Sequence, residues 1–453
     1  MLEPSDVAVA PWPGRSGALA KLKPGPGRPA ADVADHQRAR IQQATIEIVA
    51  ERGYEAVTVR EIARLAGVST KAFYQNFASK EQAFRDTLEE IARGLCGHLA
   101  AQGHLEVASR RDRMRQVIQT VIDELAGDPR AASLILIESH VAGPDTMQRL
   151  RLVDRSIKDS IAQSLGLEHD ENQPSSRVVD GIVSGLLSLV RSRLLAGRER
   201  EIPQLVDPLT LWAVSYVDSA SPRLREIDRA ISPSVQNGDT SGDREWTTGR
   251  VEAPPGNLAL LLSATAKLTA SNGLHGLEVR HILAAAGVRR RAFYSNFASA
   301  EDCFVATLEL QMKRVLAHVS GAREVGNGLA ENTYQAVSSL CDQIAQDQVL
   351  ANFCFGDLSL SGRKAMRCRE RFLTDLGSSI GGGDSKTVSD EVFGEASASA
   401  LWNVIHNEVM AGRANQLPRV AGTLAYLVLA PSMGASAAIE ALCKVHPMAS
   451  SQS

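Results

Sequence analysis

The chain has 453 residues and a formal net charge of −3, with 44% hydrophobic and 22% charged residues. This composition is that of a folded protein rather than a disordered one, and the length allows two to four domains. Its apolar stretches end at a charge well short of the roughly 20 residues that a membrane span needs. The net charge excludes a protein that is basic overall, so any binding to nucleic acid must come from locally placed charge.

Residues 1–35 are rich in proline, glycine and alanine, which predicts a flexible basic arm without a secretory signal. The tripeptide Gly-Arg-Pro at 27–29 resembles the core of the AT-hook, a segment that binds the DNA minor groove. Lys23 and Arg28 are therefore candidate minor-groove contacts. Because Pro26 stands where that motif has its first arginine, a flexible tail without a binding role is the alternative.

Beyond the arm, apolar residues recur at helical spacing, beginning with Ile41, Ala44 and Ile48, and no strand-like alternation appears. The pattern stops in a stretch of Ser-Pro, Asn-Gly and Pro-Pro steps at 221–256, which predicts a linker. It then resumes and continues to about Val445. The sequence therefore predicts an all-α protein.

An internal repeat with an offset of 220 residues organises the chain. Residues 51–90 and 271–310 are identical at 19 of 40 aligned positions. With small gaps the match extends to the Ala-Gly-Arg sequences at 196–198 and 411–413. A repeat of this length indicates two tandem domains rather than a solenoid.

Within the first repeat, residues 58–77 have the pattern of a helix-turn-helix motif. Thr58 and Glu61 predict a capping box at the start of the first helix. Gly67 predicts its end, and Ser69 can cap the next helix after a short turn. A three- to four-residue turn that contains glycine is typical of this motif.

The second helix of the motif, at 70–76, is the candidate recognition helix. Phe73 and Phe77 lie four residues apart and are expected to pack inward. The opposite face can then contact phosphates or base edges, and Lys80 in the next helix can reach a phosphate. The predicted DNA-contacting residues of this repeat are Thr58, Arg60, Ser69, Thr70, Lys71, Tyr74, Gln75, Asn76 and Lys80.

These residues resemble the N-terminal domain of the tetracycline-repressor (TetR) family of bacterial transcriptional regulators. The segments LILIESHVAGP at 134–144 and LLAGR at 194–198 are similar to the ligand-binding and dimerisation domain of that family. The resemblance implies two tandem TetR-like units in one chain. It also implies that the helix at 69–75 enters the major groove, that Tyr74 and Lys80 contact phosphates, and that later helices enclose a small-molecule pocket.

The second copy of the motif, at 278–297, departs from the first. Glu278 and Arg289 replace the two helix caps, at a cost of roughly 1 kcal/mol each, and Ala300 replaces the lysine. Three arginines at the start of its candidate recognition helix favour contacts to phosphates and guanine. Its predicted DNA-contacting residues are Arg289, Arg290, Arg291, Tyr294, Ser295 and Asn296. A second reading head and a degenerate head retained for packing are the two alternatives.

No enzyme signature, zinc-ligand spacing or phosphate loop is present, so we expect no catalytic residue, cofactor or metal. Glu138 and Asp357 occupy the same place in apolar helices of the two repeats. A buried carboxylate requires a partner. Helix capping or an internal hydrogen bond is the favoured explanation, and contact with an effector in a ligand pocket is the alternative.

The predicted organisation is two helix-turn-helix heads, each followed by a helical ligand and dimerisation domain. The heads span 36–95 and 257–315, the helical domains span 96–220 and 316–446, and a tail occupies 447–453. The last two helices of each repeat would pair within the chain as a pseudo-dimer, with a homodimer as the alternative. These helices are predicted at 176–196, 206–219, 390–411 and 420–442.

The sequence thus predicts a cytoplasmic, sequence-specific transcriptional regulator that binds a double-stranded DNA operator. The favoured form is a repressor released by a small-molecule effector. The alternative is a single-headed DNA binder whose second repeat is an interaction or ligand-sensing domain.

Overall fold

The computed structural model of the chain describes nine stretches, and the regular elements within them are helical, which confirms the all-α prediction. None of the described helices is long and apolar enough to cross a membrane. Lys23, Arg28 and Asp357 lie outside the described residues. The described residues are 30–101, 109–139, 144–166, 174–216, 254–273, 277–323, 328–356, 362–380 and 388–445.

The helices of the first repeat follow the local signals in the sequence. A π-helical turn at Leu134–Glu138 and a 3-10 helix at Glu199–Leu205 lie between them. The bounds are α1 Ala30–Arg52, α2 Val59–Ala66, α3 Thr70–Asn76, α4 Lys80–Ala101, α5 Arg110–Gly127, α6 Pro129–Ser133, α7 Pro144–Leu165, α8 Pro174–Leu195 and α9 Val206–Val214.

The described part of the second repeat has a similar order of helices, including a 3-10 helix at Ala414–Val420, and differs in ending with two helices after it. The bounds are α10 Gly256–Asn272, α11 Val279–Ala286, α12 Arg290–Tyr294, α13 Ala300–Arg323, α14 Leu329–Gln346, α15 Gln348–Phe355, α16 Gly362–Ile380, α17 Val388–Met410, α18 Ala421–Met433 and α19 Ala435–Val445.

The helix boundaries differ from the sequence prediction most clearly at two places. Helix α1 begins at Ala30, so the last six residues of the predicted arm (30–35) are helical. The single helix expected at 420–442 is two helices, because Gly434 adopts a positive φ of 84° between α18 and α19. A left-handed conformation ends a helix, and glycine is the residue that adopts it without strain.

Residue contacts divide the chain into two units, of which unit 1 comprises 1–166 and 190–207. In unit 1, α1 packs against α2, α3 and α4, and α4 packs against α5 and α7. The core of the first head is continuous with the next helices, since Ala131 and Leu134 belong to the same buried cluster as Ile41 and Phe73. The head is therefore packed directly on the domain that follows it.

Unit 2 comprises residues 167–189 and 208–453, and thus includes two segments of the first repeat. The sequence had placed the division in the linker at 221–256. The difference arises because α8 and α9 carry buried apolar faces, with Ile182, Leu186 and Trp212 each at most 1% exposed. These faces pack on helices of the second repeat within unit 2, so the two segments are grouped with that repeat.

Candidate nucleic-acid interface

The helix-turn-helix of the first head forms as its caps predict. The side chain of Thr58 accepts from the backbone N–H of Glu61, and the Glu61 carboxylate accepts from that of Thr58 at 3.0 Å. Hydrogen bonds from Thr58 and an ion pair with Arg52 lower the pKa of Glu61 to about 2. Gly67 ends α2 with a φ of 62°, and Ser69 caps α3 by accepting from Ala72 at 3.0 Å. The turn geometry is therefore encoded locally.

Helix α3 has one buried and one exposed side, as the sequence predicts. Phe73 and Phe77 are at most 1% exposed and their ring centroids lie 5.9 Å apart. The opposite side presents polar and positively charged groups to solvent, together with the Tyr74 ring, which is 55% exposed. The exposed residues on this side are Thr70, Lys71, Tyr74 and Gln75, with Ser69, Thr58 and Arg60 exposed nearby.

Asn76 is turned toward its own helix, because its side-chain amide donates to the carbonyl of Ala72 at 2.8 Å. The backbone carbonyl of Asn76 accepts from Arg38 Nη1 at 3.0 Å. Arg38 also forms an ion pair with Asp86, and its guanidinium lies 4.3 Å from the centre of the Phe77 ring. Arg38 thus braces the C-terminal end of the recognition helix from α1.

Sequence reasoning missed this brace. Arg38 and Asp86 lie 48 residues apart, and nothing in the local pattern connects them. The repeat alignment carries a signal, because their counterparts Leu258 and Ala306 have lost both charges together. Such a paired loss is what an ion pair present in one copy alone would produce.

Lys80 was predicted to contact a phosphate, but its ammonium lies on the protein. It donates to the backbone carbonyls of Tyr54 at 3.2 Å and Val57 at 3.1 Å, and sits 4.1 Å from the Tyr54 ring centre. A lysine at a helix start can donate to backbone carbonyls of a neighbouring turn as well as to a phosphate. In the structure Lys80 fastens α4 to the turn between α1 and α2, and its role at DNA stays a prediction.

Glu138, at the end of the π-helical turn, has an internal hydrogen-bond partner. Its carboxylate accepts from the backbone N–H of Tyr54 at 2.9 Å, and the residue is 5% exposed. Of the two explanations that the sequence favours, helix capping and an internal hydrogen bond, this contact is the second, and contact with an effector stays untested. Tyr54 OH in turn donates to Glu81 at 3.3 Å. The turn before α2 is therefore bonded both to α4 of the head, through Glu81, and to the π-helical turn of the following domain, through Glu138.

The second head keeps the motif with weaker local support. Neither Glu278 nor Arg289 makes a side-chain capping hydrogen bond, as their residue types predicted. The recognition helix α12 spans five residues, Arg290–Tyr294, against seven in α3. Phe293 is fully buried, but Phe297 is half-buried where its counterpart Phe77 is 1% exposed. The recognition helix of the second head is therefore the less capped and the less deeply buried of the two.

The exposed face of α12 is more positively charged than that of α3. Arg289, Arg290 and Arg291 are all exposed, and the Arg290 guanidinium lies 5.4 Å from the centre of the Tyr294 ring. Tyr294 is 47% exposed, in the same position as Tyr74. The amide of Asn296 donates to Ala292 at 2.8 Å, as Asn76 does in the first head, and Ser295 donates to the same carbonyl at 2.9 Å.

Within the described ranges there is no cluster of three or more histidine, cysteine or acidic side chains that could hold a metal ion. Cys354 is 1% exposed, and burial raises the pKa of its thiol well above the ordinary range. A buried, protonated thiol is a poor nucleophile.

Two segments of the chain, 41–93 and 261–307, match the family model described as bacterial regulatory proteins of the tetR family. They coincide with the two heads. Among curated proteins, the HTH-type transcriptional activator FasR of Mycolicibacterium smegmatis is 27% identical over 138 residues, which is 30% of this chain. The match spans 63% of that relative, so less than two thirds of its length is represented.

Solved structures of transcriptional regulators are also similar. FadR of Bacillus subtilis, in complex with stearoyl-CoA, is 20% identical with a TM-score of 0.35, covering 39% of this chain and 97% of that one. FadR of Bacillus halodurans, a fatty acid degradation regulator, is 18% identical with a TM-score of 0.35, covering 43% of this chain and 97% of that one.

Proposed function

We propose that this protein is a two-headed, sequence-specific regulator of transcription. The chain belongs to the tetR family of bacterial regulatory proteins and contains two tandem units of that family. The observation that carries the proposal is the exposed side of the short helix α3. It presents Lys71, Tyr74 and Gln75 outward while Phe73 anchors it from within. Side chains of this kind on the exposed face of a helix suit the DNA major groove.

In this proposal the heads act together, as the two heads of a dimer do in other helix-turn-helix proteins. The last helices of the two repeats pair within one chain, at the high effective concentration that a covalent tether provides. A small-molecule effector binds among the helices after a head and shifts the population toward heads that no longer fit adjacent major grooves. The regulator is then a repressor that acts in the cytoplasm and is released by its ligand.

The hydrogen bonds around Tyr54 support a route for that release. Glu138 lies in the helical domain and holds the turn that precedes α2, while Lys80 holds the same turn from α4. A ligand that displaced the π-helical turn would therefore disturb the base of the helix-turn-helix. Coupling of this kind requires different contacts in two states of one element.

A single-headed DNA binder is the second candidate, and the weaker second head favours it. Its helix caps are lost, α12 is short, and Phe297 is half-buried. In that case the second repeat would be a partner or ligand sensor. The two candidates differ in the DNA that they select, because only two active heads read two unlike half-sites.

The first test is a selection of genomic DNA fragments by the purified full chain, followed by footprinting of the bound site. We expect two half-sites without inverted symmetry, centred about one to one and a half helical turns apart, with the second richer in G·C. No enrichment of any sequence would contradict the proposal. A perfectly symmetric footprint would mean that two chains each present the first head. A reporter gene behind the selected site gives the sign of regulation.

The second test separates DNA contact from head stability, with Lys71→Ala and Lys80→Ala as a matched pair. Lys71 is exposed, so its loss should weaken binding to all sequences and lower the salt-dependence slope by about one, at unchanged thermal stability. Lys80 is bound to two carbonyls, so its loss should lower the melting temperature of the head. Binding by fluorescence anisotropy at several salt concentrations, with calorimetry, measures both. Unchanged affinity in Lys71→Ala would remove α3 from the interface.

A further inference from the structure

Within unit 2, helix α8 of the first repeat and helix α17 of the second repeat cross at small residues. A Cβ atom added to Gly181 would lie 3.0 Å from the Cβ of Ala400, and one added to Gly185 would lie 3.1 Å from the carbonyl oxygen of Ala396. The repeats align here without gaps at an offset of 215, which pairs Gly181 with Ala396 and Gly185 with Ala400. Exchanging the two repeats therefore converts the contact of Gly181 with Ala400 into the contact of Ala396 with Gly185. This mutual exchange is the property of a twofold interface.

An ion pair on the same face breaks this symmetry. Arg177 Nη2 lies 3.3 Å from Glu408 Oε1, and the Glu408 side chain is 8% exposed. The positions equivalent to these two are Val392 and Arg193, which cannot form an ion pair. Arg413 also contacts Glu408, at 2.7 Å, so the carboxylate is held from both repeats. The charge complementarity therefore exists in one direction only.

A hydrogen bond of Trp212 is one-sided in the same way. Its indole Nε1 donates to Ser397 Oγ at 3.1 Å, and both residues are buried. The equivalent positions are Leu427 and Ile182, whose side chains contain no polar atom. Tyr216 adds a third contact, because its hydroxyl donates to the backbone carbonyl of Leu427 at 2.8 Å.

We propose that this face is selective for unlike repeats, so that a first repeat pairs with a second repeat and neither repeat pairs with another copy of its own kind. The proposal rests on the paired heads proposed above and names the surface that pairs them. Pairing two first repeats would set Arg177 against Arg193. It would also set Trp212 against Ile182, leaving a buried indole N–H without an acceptor. Pairing two second repeats would leave Glu408 with Arg413 alone and would set Leu427 against Ser397, which removes the indole donor of that serine. Both outcomes destabilise a buried interface.

The test is cysteine cross-linking in the full chain. Gly181→Cys with Ala400→Cys places two thiols at a contact that exists only between unlike repeats. Ala396→Cys with Ala400→Cys places two thiols at a contact that exists only between two second repeats. Each variant is oxidised with diamide and analysed on non-reducing gels and by peptide mapping, and the wild-type chain, with its six native cysteines, is the control.

We expect the first variant to cross-link within a single chain and the second not to cross-link between chains. A covalent dimer of the second variant, or no cross-link in the first, would overturn the selectivity. A covalent dimer of the first variant would keep the selectivity and contradict pairing within one chain. Operator binding of each variant before oxidation is measured separately, so that failure of the regulator proposal is recognised independently.

A matched pair of serines tests the interface without cysteines. Ser397 and Ser399 lie on α17 and are each 4% exposed, but Ser397 accepts from Trp212 whereas Ser399 donates to Glu395 in its own helix. We expect Ser397→Ala to lower the melting temperature by about 3 °C more than Ser399→Ala, because it strands a buried donor. Adding Trp212→Phe should reduce that difference, while the hydrogen bond of Ser397 with Tyr216 remains. Equal shifts for the two serines would overturn the proposed role of Trp212.

Discussion

A Gly377→Ala variant is expected to lose about 2 to 3 kcal/mol of unfolding free energy, because its methyl group has no space. Gly377 on α16 faces Gly394 on α17, and an added Cβ would lie 2.5 Å from the Gly394 carbonyl carbon and 2.7 Å from the Glu395 nitrogen. These are backbone atoms, so no side chain can rotate away. The two helices would have to separate.

Gly321→Ala on α13 is the matched control, since an added Cβ there meets no atom within 4 Å. It should gain about 0.5 to 1 kcal/mol from the better helix propensity of alanine. Urea unfolding followed by circular dichroism measures both variants. If Gly377→Ala unfolds at the same urea concentration as the wild-type chain, the close approach of α16 and α17 is wrong.

Those parts of the fold that depend on neighbouring residues were predictable from the sequence. The recognition helix at 70–76, its glycine turn and its serine cap follow from signals within a few residues of each other. The buried side of α3 follows from two phenylalanines four residues apart. The missing caps of the second head were equally visible, because a cap is a property of one residue type at one position.

Contacts between distant residues were not predictable in this way. The first turn of α4 gave the position of Lys80 but not the direction of its ammonium, which depends on where the turn at Tyr54 lies. The brace between Arg38 and Asp86 depends equally on tertiary packing. The break at Gly434 has a local signal, because Pro431 and Gly434 both disfavour a continuous helix. The apolar pattern continues on both sides of it, and for this reason one helix was predicted.

A tandem chain with selective pairing has a consequence for DNA recognition. In a homodimer each substitution appears in both heads, so the operator mirrors the symmetry of the protein. In this chain a substitution changes one head alone. The three arginines of α12, against Ser69, Thr70 and Lys71 in the first head, are the kind of difference that such independence permits. Under the proposed selectivity of the interface, each operator is expected to meet one head of each kind.

Giving the second head the DNA-facing residues of the first is therefore expected to change the DNA sequence that the chain selects. Arg289→Ser, Arg290→Thr, Arg291→Lys and Ser295→Gln together give α12 the exposed side chains of α3. Affinity for the original site should fall about 100-fold, because arginine contacts to guanine contribute about 1 to 3 kcal/mol each.

Selection from random DNA should then yield an inverted repeat of the first half-site, as equal heads require. Arg367→Ser, an exposed charge on α16, is the control and should leave the selected site unchanged. Anisotropy titrations on both sites at one salt concentration measure the change. If the converted chain selects and binds the original operator as before, the arginines of the second head do not read DNA. The single-headed candidate would then describe the protein, with the first head as its sole reader of sequence.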